Sequence, residues 1–223
     1  MIKVELRHVI YALSDALDLV GIDDVAHGKR VGIMAAECGK TMDLDKRSVD
    51  FLFDLGMLHD IGVSSTRTHG HLVGEFDWEG SQEHAIKGAL LVAEFPPLAA
   101  MSVPIRYHHT HWAQLKTLDI DEWSKRQANL IFLVDRVDAL AAPHYANNAL
   151  FRHVETIRQQ IDGFRDNYFC PDLVDAFLAA SRRESFWLLL EARSIQAYLQ
   201  DLLAHGEATL ANLADLRQLA EIF

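Results

Sequence analysis

Cysteine is scarce in this chain of 223 residues: there are two, Cys38 and Cys170, far apart and in no metal-type spacing. That rules out a disulfide framework and makes a reducing compartment, the cytoplasm, the expected location. Basic residues are in deficit as well, with 21 Lys and Arg against 32 Asp and Glu and a formal net charge of −11. Such a chain repels phosphate backbones and anionic lipid surfaces, so neither a nucleic-acid polymer nor a membrane is an expected partner. No apolar run is long enough to span a bilayer; residues 88–105 come closest and are broken by Glu94, Pro96, Pro97 and Pro104. The first residues include Lys3, Glu5 and Arg7, which is not the pattern of a secretory leader. Strand-type alternation of convincing length is missing too, as are internal repeats and low-complexity tracts.

What the chain does have is helical periodicity and histidine. With 50% hydrophobic and 24% charged residues it reads as an ordinary soluble chain that can bury one large core. Val9, Leu13, Ala16, Leu17 and Val20 recur at spacings of three and four. A second helix is expected from a cap at Asp23 or Asp24 to Gly39, a third from Ser48 to near Gly62, and a fourth over residues 81–95. A short helix around Pro104 follows, then helices over 122–142 (ended by Pro143), 147–162 and 171–190. The expected fold is all-α: a domain over residues 1–190 and a C-terminal helical extension over 191–223. The apolar face of the extension is expected to pack back on the domain, to pair with a second copy as a homodimer, or to lead into a further domain of a longer protein. Residues 64–80, rich in glycine and carrying His69, His71, Phe76 and Trp78, read as a lid or substrate-facing loop.

Twelve histidines are present, and several sit on inward helix faces. His27 lies on the stripe Val31, Met34, Cys38, while His59 and Asp60 close the stripe Val49, Leu52, Phe53, Gly56. His84 shares a face with Gly88 and Leu91, His108 and His109 extend the face begun by Ile105, and Asp135 falls between Ile131 and Ala139. Taken singly, each has an ordinary reading as a hydrogen-bonded core residue. An unpaired buried carboxylate is costly, however, and no Lys or Arg occupies the matching inward positions. Imidazoles and carboxylates aimed inward from separate helices are better explained by shared metal coordination. Without thiolate, such a set favours Fe, Mn, Co or Zn. One Asp can bridge two cations, and a pair roughly 3.5–4 Å apart holds a hydroxide at neutral pH and polarises a phosphoryl oxygen. The pattern points to phosphoester hydrolysis.

The order His27, His59-Asp60, His84, His108-His109, Asp135 resembles the HD superfamily of metal-dependent phosphohydrolases, most closely its HD-GYP branch. The shared text is His27-Gly28-Lys29-Arg30-Val31, Leu58-His59-Asp60-Ile61-Gly62, His84-Ala85-Ile86-Lys87-Gly88, the paired histidines, and Val134-Asp135-Arg136-Val137-Asp138-Ala139-Leu140. The segment from Phe169 to Phe177 also resembles the branch's C-terminal helix entry. The resemblance implies a helical bundle around two divalent metal ions, iron or manganese first, with zinc, cobalt, nickel or magnesium as alternatives. It implies that His27, His59, Asp60 and Asp135 hold one metal and that His84, His108 and His109 hold the second. Asp60 would bridge the two and orient the hydroxide, as the catalytic residue. Asp23 stands where the branch can carry a Glu for a third metal, and reads equally as a helix N-cap.

Two departures concern substrate recognition rather than metal binding. Val63 stands where the branch has a phosphate-contacting Lys, and Thr110-His111-Trp112-Ala113 stands where Gly-Tyr-Pro would be expected. Arg30, Lys87 and Arg136 are the cations expected to bind substrate phosphate, or else to form ion pairs supporting the ligand helices. Asp138 and His111 are candidates to orient ligand imidazoles. The implied function is hydrolysis of a nucleotide phosphoester, with cyclic dinucleotides such as cyclic di-GMP first. The alternative is a degenerate signalling module that binds metal and a nucleotide or protein partner without turnover.

Overall fold

The computed structural model describes residues 4–18, 26–63, 81–145, 149–205 and 210–211. Asp23 and the expected lid, residues 64–80, lie outside the described residues. The architecture is all-α. Its one strand pairing is a two-residue antiparallel ladder, β1 (Val4–Glu5) against β2 (Leu210–Ala211), among the described residues.

After β1 come α1 (Leu6–Asp18), α2 (His27–Thr41) and α3 (Lys46–Leu58). α2 does not stop at Gly39; that residue is buried within it, packed against the Leu52 side chain of α3. α3 is capped by Asp45 rather than Ser48: the Asp45 carboxylate accepts the Ser48 amide at 2.8 Å, which satisfies one of the free donors of the first turn. The two helices cross backbone to backbone. A Cβ on Gly32 would lie 2.6 Å from the Phe53 carbonyl oxygen, and one on Gly56 would lie 2.6 Å from the Gly32 Cα. This close approach brings the start of α2 beside the end of α3, where His27 and His59 stand.

α4 (Ser81–Ala93) leads through a 3₁₀ turn (Ala99–Met101) to α5 (Ser102–Tyr107) and the short α6 (Trp112–Leu115). Gly62 seats α4 against the turn after α3, since a Cβ there would collide with the His84 carbonyl and the Gly88 amide. α7 (Glu122–Tyr145) is the central helix, with nearly every residue from Gln127 to Asp138 buried. It runs through Pro143 instead of ending before it, because a proline in the last turn forfeits a single backbone bond. α8 (Leu150–Gly163) follows. The helix expected over 171–190 is two, α9 (Pro171–Ala180) and α10 (Glu184–Leu188). The break at Ser181 lets Trp187 bury while its indole N–H donates to the Ser181 carbonyl at 2.9 Å. α11 (Ala192–His205) lays Ile195 and Leu199 into the same core cluster as Leu190, and Tyr198 against Phe53 with ring centroids 5.7 Å apart.

Candidate metal centre

Five segments bring the expected ligands to one buried point. α2 offers His27 from its first turn, α3 ends at His59 with Asp60 in the following turn, and α4 presents His84. His108 and His109 follow α5, and Asp135 comes from the middle of α7. All are buried except Asp60, whose side chain is 13% exposed.

Asp60 divides the set. Its Oδ2 lies 3.4 Å from His59 Nε2 and 3.8 Å from His27 Nε2, while its Oδ1 lies 3.1 Å from His84 Nε2 and 3.7 Å from His108 Nε2. Asp135 joins the first side, with Oδ1 3.4 Å from His27 Nε2 and 3.9 Å from His59 Nε2. His109 joins the second, with Nε2 3.1 Å from His84 Nε2. Two groups therefore share Asp60: His27, His59 and Asp60 in one, and Asp60, His84, His108 and His109 in the other, each with donor atoms within 4.8 Å of one another.

The backbone sets the tautomers. His59 Nδ1 faces the Gly56 carbonyl at 2.7 Å, and His108 Nδ1 faces the Ile105 carbonyl at 2.6 Å. A carbonyl oxygen can only accept, so each Nδ1 carries the proton and each Nε2 points a lone pair at the centre. His27 Nδ1 donates to Asp138 Oδ2 at 2.8 Å, which likewise turns its Nε2 to the centre. Lone pairs crowded at this range repel unless a cation or proton lies among them. Consistent with that, His59 Nε2 and Asp60 Oδ1 are buried without a well-formed hydrogen bond. These orphaned donors, all nitrogen and oxygen, fit divalent metal ions.

Protonation at His59, His109, Asp60 and Asp135 favours the same use. Burial pushes His59 down to about 4 against the pull of Asp60, and burial together with His108 holds His109 well below its usual value. Burial opposes ionisation of Asp60 and Asp135, yet His59 and its neighbouring imidazoles for the first, and Arg136 with His27 for the second, hold both well below the carboxylate range. His27 is the exception: burial alone would depress it, but Asp135 and Asp138 hold it well above its usual value, so without metal its Nε2 keeps a proton that a metal ion would displace.

Asp135 does have a cationic neighbour, contrary to the expectation from spacing. Arg136, 2% exposed, reaches Asp135 Oδ2 at 2.8 Å and leaves Oδ1 to the imidazoles. Arg30 is also buried, and grips Asp138 through Nε at 2.7 Å and Nη2 at 2.9 Å. Both guanidinium groups thus support carboxylates at the centre. Lys87 is about half exposed and pairs with Glu83 at 2.8 Å. Asp138 orients His27, as its spacing predicts, while the His111 ring stacks on Tyr168 at 3.8 Å. Sequence reasoning missed Tyr145, whose hydroxyl donates to Asp138 Oδ1 at 2.7 Å; a tyrosine two turns after Asp138 on one face was the available signal. No described helix is long and apolar enough to cross a membrane.

Fold and site together define a helical domain built around an imidazole–carboxylate centre able to hold divalent metal. The HD domain family matches residues 25–142, and the chain belongs to that family. It is 35% identical over 199 residues to the 3'3'-cGAMP-specific phosphodiesterase 1 of Vibrio cholerae serotype O1, covering 87% of this chain and 46% of the relative. The chain thus spans about half the length of that relative. A crystal structure of a cyclic GMP-AMP-specific phosphodiesterase of V. cholerae shares the fold, with a TM-score of 0.69 at 16% identity over 99% of this chain and 59% of that one.

Proposed function

We propose that this chain is a divalent-metal-dependent phosphodiesterase that opens a cyclic dinucleotide by hydrolysis. The substrate named for the Vibrio relative, 3'3'-cGAMP, comes first and cyclic di-GMP second. The observation that carries the reading is the divided Asp60 carboxylate, one oxygen toward His27 and His59 and the other toward His84 and His108. In this reading His27, His59, Asp60 and Asp135 hold one ion, and Asp60, His84, His108 and His109 hold the other, iron or manganese being favoured.

Such ions supply a water acidic enough to attack near neutral pH and draw charge from the phosphoryl oxygen. The side chains prepare for this. Asp60 and Asp135 stay ionised, and His59 and His109 stay neutral for the reasons given above. Asp60 is the group placed to orient the attacking water, since it alone faces both halves of the centre. Arg30 and Arg136 steady the carboxylates rather than the substrate. Lys87, one turn beyond His84, is the exposed cation of the three, and its surface pair with Glu83 is weak enough for a phosphate to displace. In the reaction a water oxygen bonds to phosphorus and the bond from phosphorus to one ribose oxygen breaks. One water proton ends on that ribose oxygen and the other is lost to solvent, leaving a linear dinucleotide.

The test is to incubate manganese- or iron-loaded protein with 3'3'-cGAMP and with cyclic di-GMP and to separate the products by chromatography. A linear dinucleotide from either substrate, absent with Asp60→Ala, is the expected result. Loaded protein that turns over neither would favour a signalling module that binds without hydrolysis, the reading to which Val63 and the missing Gly-Tyr-Pro point.

A further inference from the structure

We propose that Tyr145 is a positioning residue of this centre, acting on His27 through Asp138; the inference rests on the metal reading above. Asp138 is fully buried, and its two oxygens accept four hydrogen bonds from three side chains. Oδ1 takes Arg30 Nε at 2.7 Å and the Tyr145 hydroxyl at 2.7 Å, while Oδ2 takes Arg30 Nη2 at 2.9 Å and His27 Nδ1 at 2.8 Å. The Arg30 guanidinium also lies over the Tyr145 ring, 4.5 Å from its centroid. Tyr145 therefore touches both members of the ion pair, the carboxylate with its hydroxyl and the cation with its ring face.

His27 presents Nε2 to the centre only while Asp138 holds Nδ1–H, and Asp138 holds it in one orientation only while its own carboxylate is fixed. Arg30 provides that fixation at both oxygens, and Tyr145 at Oδ1, the oxygen away from His27. Of the four residues, His27, Arg30 and Asp138 are buried and Tyr145 is half-buried, the member of the group most open to solvent. Removing it would let water compete for Asp138 and weaken a charge-assisted bond that owes its strength to a dry surrounding. α7 thereby places a carboxylate beside each nitrogen of His27: Asp135 lies 3.4 Å from Nε2, and Asp138, braced by Tyr145, accepts from Nδ1. The continuation of α7 through Pro143 has its consequence here, since a helix ending at residue 142 would not place Tyr145 two turns after Asp138.

The test is metal affinity at each half of the centre, measured on the 223-residue chain as wild type, Tyr145→Phe and Tyr145→Ala by competing zinc against a chelator. Nitrogen-15 imidazole spectra of the same zinc-loaded samples report the His27 Nδ1–H. The expected result is weaker binding at the half containing His27, several-fold for the Phe variant and about 10- to 100-fold for the Ala variant. Affinity at the half made by His84, His108 and His109 stays at the wild-type value, and the His27 Nδ1–H signal shifts or is lost. Tyr145→Phe keeps the ring and serves as the informative variant if Tyr145→Ala fails to fold. Equal affinities in wild type and Tyr145→Phe, or an equal loss at both halves, would overturn the role of Tyr145. A wild type that binds no zinc would instead overturn the metal reading, and this inference with it.

Discussion

Asp138 is a buried carboxylate whose charge is matched by one buried arginine, and that makes it sensitive to substitution. Asp138→Asn keeps the shape but leaves Arg30 without its counter-charge, so it should cost about 3–5 kcal/mol in urea denaturation. His59 carries a pH dependence. Its folded value of about 4 lies below the ordinary 6.5, so the unfolded chain takes up the proton first. The stability from keeping His59 neutral is present above pH 6.5 and is lost as pH falls toward 4. Over that window metal-free wild type should lose about 3 kcal/mol relative to His59→Gln, seen as denaturation midpoints that converge as the pH is lowered. At this scale the residues of the candidate centre were legible because each stands on an apolar stripe that fixes where its side chain points. Ion pairing by Arg30 and Arg136 was open to the sequence as an alternative to phosphate binding, but which carboxylates they reach was not, because spacing gives the face of a residue and not the reach of a long guanidinium. Arg136 sits beside Asp135 in the chain and still turns back to it.

The helices themselves were readable from apolar periodicity, and their ends much less so. By local propensity Pro143 and Gly39 are stops, yet α7 passes the first and α2 the second, because tertiary packing outweighs local propensity at a helix end. The break at Ser181 was invisible because the apolar pattern continues across it; the indole N–H of Trp187 needs an acceptor, and that need shows only in three dimensions. The α2–α3 crossing carries its own prediction. A methyl group at Gly56 would meet the Gly32 backbone, so Gly56→Ala must push the helices apart and move His27 away from His59. A loss of about 1–3 kcal/mol is expected, together with reduced metal content in the protein that remains folded, measured by thermal melting and elemental analysis. Normal metal content in a destabilised Gly56→Ala protein would show that the crossing supports stability alone.

Across the molecule, α11 belongs to the same core as the helices that form the candidate centre, because Ile195 and Leu199 are only 2% and 7% exposed. Leu199→Asp places an unpaired charge in that core and should lower the melting temperature of the whole domain in a single transition, at a cost of at least about 2 kcal/mol. A separate early transition would mark α11 as an independent element. The acidic balance of the chain disfavours sequence-independent capture of polyanions, so under the proposed function attraction for a dinucleotide would be local, at the centre and beside Lys87. The most direct measurement is the metal content of the purified chain, by elemental analysis, beside that of Asp60→Ala. The expectation is about two divalent ions per wild-type chain and the loss of both from the variant, because Asp60 faces each half of the centre. A wild type without metal, or an Asp60→Ala chain that keeps both ions, would contradict it.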